Sequence, residues 1–121
     1  MTHWAYSYIG MPYSDEHDCW WVVRDVYRMH FSVDLPIVAD APGEETIRHV
    51  ARGAGVRPAS APPQELDIVL MRSPLRLHAG IVTLNARRIG VLHSTRETGV
   101  VWQSWREATA GVTVELWRRH V

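Results

Sequence analysis

Cys19 is the single cysteine of this sequence, and it follows Asp18 at the point where a polar stretch gives way to a helical pattern. A thiolate is a far better nucleophile than a thiol, and the start of a helix favours the thiolate through its dipole and its open backbone amides. A nearby imidazole can take the thiol proton and later return it to a leaving amine. A third polar group must hold that imidazole in the right tautomer. Two histidines suit these roles. His78 begins the segment HAGIVTL and His93 ends the segment RRIGVLH, so a hairpin would make them cross-strand neighbours. A blander assignment fits the same residues. A lone cysteine in a half-apolar chain is more often a buried small hydrophobe, and seven histidines make chance pairings easy. A metal site from His17, Cys19, His78 and His93 is a third assignment, but no H-x-x-x-H pair supports it.

The elements that must position these groups are legible as patterns. From Cys19 to about Phe31 the spacing predicts a helix, with Val22, Val26 and Met29 in one stripe widened by Val23, Tyr27 and His30. Asp18 is its predicted N-cap, and Pro36 ends anything still helical. Residues 1–13 read as an aromatic, irregular lead-in. Residues 40–54 predict a short helix opened by Glu44 and Glu45 and stopped by Gly53 and Gly55, and 57–65 read as a proline-rich loop. Asp67 to Met71, His78 to Leu84, Arg88 to His93, Gly99 to Gln103 and Val112 to Trp117 predict strands, and Trp105 to Ala108 one helical turn. Helix first, then an antiparallel meander, is an α+β layout in a single domain, residues 1–121.

Composition narrows the function classes. Apolar residues make up 46% and charged residues 21%, which predicts a globular chain. Thirteen arginines balance 13 acids with no lysine, so the formal charge is zero and nucleic acid is not the expected partner. A near-neutral chain has little electrostatic help in staying monomeric, which favours association with a larger assembly. One cysteine can form neither an internal disulfide nor a multi-cysteine zinc site. The sequence has no signal-peptide pattern and no run long enough to span a membrane. The expectation is synthesis in the cytoplasm and exit by a secretion machine, lysis or a virion. Six tryptophans frame a groove or anchor the core and interfaces.

Gly10-Met11-Pro12-Tyr13 followed by Asp18-Cys19-Trp20 resembles the first motif of the NlpC/P60 cysteine peptidases. The next stretch, VVRDVYRMHFSVDLP, resembles the phage-tail branch of that family. Leu66-Asp67-Ile68-Val69-Leu70 is similar to its strand-opening element, Leu77-His78-Ala79-Gly80-Ile81 to its H-x-G-I motif, and Val91-Leu92-His93-Ser94 to the strand carrying its third polar residue. The resemblance implies a papain-like α+β core, an N-terminal nucleophile helix packed on an antiparallel β-sheet. It implies hydrolysis of an amide bond in peptidoglycan stem peptides, commonly γ-D-glutamyl to diamino acid, in a phage tail among tail proteins. Cys19 would be nucleophile, His78 base, His93 orienter, and Tyr13 would line the site near the oxyanion. No metal or organic cofactor is implied. Arg72 and Arg76, in the loop before His78, could pair with substrate carboxylates. The chain departs from the family at Trp21 and Leu66, where relatives carry glycine, and in its short Tyr13–Cys19 loop. A tail protein that keeps the fold without activity, and a thiol acyltransferase, are the other readings.

Overall fold

The computed structural model describes residues 3–36, 49, 52–74 and 77–119. It is an α+β protein built on one six-stranded antiparallel sheet. A 3-10 turn, Trp4–Ser7, comes first, then helix α1, Cys19–Phe31. Strands β1 (Val56–Ala59), β2 (Ile68–Arg72), β3 (Leu77–Asn85), β4 (Arg88–Thr95) and β5 (Gly99–Ser104) follow. A single turn, α2 (Trp105–Ala108), and strand β6 (Thr113–Arg119) complete the order. The predicted helix at 40–54 falls largely outside the described residues; positions 49, 52 and 53 are helical.

Helix α1 starts where its cap dictates. Asp18 is extended, and its carboxylate accepts the Trp21 amide at 2.8 Å. That bond satisfies one of the donors every helix start leaves open. Ser32 ends the helix in the left-handed region, with its amide on the Arg28 carbonyl and the Val33 amide on the Tyr27 carbonyl. This is the pairing that usually recruits glycine. Trp20, Val22, Val23, Val26 and Tyr27 are buried. Met29, assigned to the same stripe by spacing, is instead 63% exposed. At 100° per residue it falls beyond Val22, on the border of the buried arc. The helix is also not at the N-terminus of the fold: the lead-in precedes it and packs on it, with Tyr8 donating to Asp25 at 2.7 Å. The aromatic lead-in thus has its own buried surface to satisfy.

The sheet order is β1-β6-β2-β3-β4-β5. Only β2 to β5 form the expected meander; β6 returns to pair with β2 and carries β1 on its other side. β1 lies where a proline-rich loop was predicted. It is an edge strand, and an edge tolerates Pro58 because one row of its amides has no ladder to join. Both faces of the sheet are covered. One meets α1 through Ile68, Leu70, Ala79, Ile81, Leu92 and Val100. The other buries Val69, Met71, Val82, Val91 and Leu116, flanked by Trp105 and Ala108. This explains the unbroken apolar run of β2, since a strand covered on both sides shows no alternation. Trp20 and Trp117 are core residues, and Trp102 lies over Gly90 with its indole N–H on Thr83 at 2.7 Å.

The lead-in pairs with the far edge of β5 at Val100. The Gly10 amide donates to the Val100 carbonyl at 2.9 Å, and the Val100 amide donates back to Met11 at 2.8 Å. The approach is close enough that a Cβ on Gly99, at φ +71°, would lie 2.3 Å from the Met11 carbonyl oxygen. Glycine is required there for both reasons.

Candidate active site

β3 and β4 form a hairpin whose pairing runs from Asn85↔Arg88 to Ile81↔Leu92, and just past it Gly80 lies against His93. Side chains alternate along a strand, so His78 shares a face of β3 with Gly80, and His93 shares a face of β4 with Val91. The Nε2 of His78 lies 2.7 Å from Nδ1 of His93, and the rings meet edge to face at 4.9 Å. On the other side β5 sets Val101 opposite His93 and Gln103 opposite Val91. The Nε2 of His93 consequently reaches Oε1 of Gln103 at 2.7 Å. Three polar side chains on three adjacent strands thus form one hydrogen-bonded row: His78, His93, Gln103. Gln103 was not singled out from sequence. Its one signal there is its place in a β-branched strand otherwise rich in apolar residues.

Gly80 makes room for this row. A Cβ there would stand 2.6 Å from Val91 Cγ1, 3.0 Å from the Leu92 carbonyl and 3.1 Å from His93 Cβ. Gly80→Ala is expected to destabilise by about 1–3 kcal/mol through this overpacking. Urea midpoints would measure it, and an unchanged midpoint would show that β4 yields freely.

Cys19 opens α1 and is half-buried. Its sulfur meets the backbone amide of Ala79, the residue after His78, and the amides of Trp20 and Cys19 also favour the thiolate. Ala79 lies past the β3–β4 pairing, which runs from Asn85↔Arg88 to Ile81↔Leu92. The structure therefore brings Cys19 to the end of β3 where His78 and His93 lie, with Ala79 on the face that meets α1 and His78, which pairs with Met71, on the other. It corrects one expectation. Burial, with Asp18 adding to it, pushes the thiol up from its ordinary value of 9.0 despite those amides. His93, only 6% exposed, is pushed below its ordinary 6.5 by burial, with Gln103 acting in the opposite direction. Burial thus disfavours the imidazolium form of His93.

Tyr13 lies beneath the Arg96 guanidinium, 5.6 Å from ring to charge, at the β4–β5 turn. Trp21 packs edge to face on His17 at 4.4 Å and on Tyr8 at 6.2 Å, so its indole joins α1 to the lead-in. The His17 carbonyl accepts from Ser94 at 3.2 Å, which holds the loop before Cys19 next to His93. Arg76 lies outside the described residues, and Arg72 is exposed at the end of β2. Among the described residues no group of three or more His, Cys, Asp or Glu is placed to hold a metal ion. No helix among them is long and apolar enough to cross a membrane.

These shifts set a pH dependence of stability. Below 6.5 the unfolded chain protonates His93 while the folded chain resists, so stability falls as pH falls. Above 9.0 the unfolded thiol ionises while the folded one keeps its proton, so stability falls as pH rises. Tyr8 and Tyr27, both raised chiefly by burial from 10.0, act in the same direction. Urea midpoints are expected to peak between these limits. A midpoint still climbing at alkaline pH would contradict the buried thiol and phenols.

Compared with protein-family models and with curated proteins, the chain matches none.

Proposed function

We propose that this chain is a papain-like cysteine peptidase of the NlpC/P60 type that hydrolyses an amide bond in peptidoglycan stem peptides. One observation carries the proposal: the His78–His93–Gln103 row begins one residue from the amide that meets the Cys19 sulfur. A base, its orienter and a nucleophile at a helix start are the parts that thiol acyl transfer needs. The motif order from Gly10 to Ser94 supports the family, and the VVRDVYRMHFSVDLP segment supports a phage tail as the setting.

The mechanism follows from these parts. Burial favours the protonated thiol, so His78 takes the proton as the sulfur attacks the carbonyl carbon. The tetrahedral oxyanion is received by the backbone N–H of Cys19, beside which the resemblance assigns Tyr13. As the C–N bond breaks, His78 returns the proton to the leaving amine. A water molecule deprotonated by His78 then attacks the thioester, releasing the new carboxylate and restoring the thiol.

The same raised thiol favours a second reading, a tail protein that keeps the fold as a scaffold. Incubation of wild type and Cys19→Ser with muropeptides, read by mass spectrometry, separates the two. Cleavage by wild type alone would support the peptidase and identify the bond. Cleavage by neither, with Cys19 inert to iodoacetamide across the pH range in folded protein, would support the scaffold.

A further inference from the structure

We propose that Gln103 is a positioning residue that sets the tautomers of both histidines and so decides which nitrogen of His78 acts as base. The argument is a count of protons. The Oε1 of Gln103 can only accept, so the bond at 2.7 Å requires the proton of His93 on Nε2. Burial disfavours a charged His93, and with a single ring proton on Nε2 its Nδ1 has a lone pair only. The contact from Nδ1 to His78 Nε2 at 2.7 Å then requires a proton on Nε2 of His78. The acceptor nitrogen of His78 is therefore Nδ1. One amide oxygen on β5 fixes the polarity of a row that spans three strands. With the Gln103 amide turned over, its N–H would donate, every donor would reverse, and His78 would carry its proton on Nδ1, unable to receive another there.

The tautomers follow from the hydrogen bonds with one proton on each ring, whereas their effect on turnover rests on the peptidase reading. The test is a two-bond ¹H–¹⁵N spectrum of histidine-labelled wild type, Gln103→Glu and Gln103→Met near neutral pH, assigned with His78→Ala and His93→Ala. Wild type and Gln103→Glu, which keeps an acceptor, are expected to show both rings protonated at Nε2. Gln103→Met keeps the length and removes the acceptor, so His93 should lose its Nε2–H preference and His78 should follow. In hydrolysis, Gln103→Met should lower kcat by about 10²-fold with KM nearly unchanged, and Gln103→Glu should recover most of it. A wild-type spectrum with His93 protonated at Nδ1 would overturn the proposal, as would unchanged tautomers in folded Gln103→Met. A wild type that cleaves no stem peptide but shows both Nε2–H forms, lost in Gln103→Met, would uphold this proposal while removing the peptidase reading.

Discussion

Cys19→Ala is expected to abolish stem-peptide hydrolysis while leaving the protein folded. The sulfur is the group that would form the thioester, and alanine leaves nothing in its place to attack. The cost to the fold is small, because the methylene of Cys19 is retained as a methyl and Asp18 still caps α1 through the Trp21 amide. A loss of about 1 kcal/mol would lower Tm by roughly 4–6 °C in a chain of this size. His78→Ala should reduce kcat/KM by about 10³-fold, within the usual range for removing a general base. His93→Ala should cost less, about 10²-fold, because His78 remains and water can stand in part for an orienter. Hydrolysis is the measurement and thermal melts are the control. Residual cleavage by Cys19→Ala at wild-type rate would move the chemistry elsewhere in the molecule, and equal complete losses from both histidine variants would contradict the division of roles.

Asp67→Ala is expected to give the largest loss of stability of any single polar replacement considered. Asp67 is 1% exposed, and both its oxygens are engaged. Arg118 donates Nε to Oδ1 and Nη2 to Oδ2, each at 2.7 Å, and the Gln64 amide donates to Oδ2 at 2.8 Å. The pair joins the loop before β2 to the last strand, across 51 positions of chain. Forming such a pair yields little net gain, since two charges leave water, but removing one partner strands the other. The guanidinium is partly exposed and reaches some water, so the expected cost is about 3 kcal/mol, the lower end for a broken buried pair. Urea unfolding would read it, and a loss under about 1 kcal/mol would mean that Arg118 finds full hydration without Asp67.

Local features of this fold were legible in the sequence because local chemistry dictates them. Asp18 announces the start of α1, and β2 to β6 and α2 fall within a residue or two of their predicted limits. What sequence did not show depends on distance along the chain. The Asp67–Arg118 pair and the insertion of β6 between β1 and β2 have no local signature. β1 was hidden because Pro58 argues against a strand unless its edge position is known. Within the site, the hairpin pattern was enough to bring His78 and His93 together, since strand ends meet in any tight hairpin. Gln103 needed the register of a third strand. The resting state of Cys19 was misjudged for a physical reason: a helix start favours a thiolate, but burial at this one disfavours it more.

The hydrogen bonds between Gly10, Met11 and Val100 bear on how the protein can be handled. Cutting the chain back to begin at Cys19 would retain the nucleophile, both histidines and Gln103, and on paper would retain the whole site. It would also uncover the outer amide and carbonyl of Val100 on the strand that carries Gln103, an opening for pairing with a second copy. Such a fragment is expected to self-associate strand to strand. The smallest useful unit therefore includes the aromatic segment ahead of the helix, which acts as a built-in stopper against polymerisation.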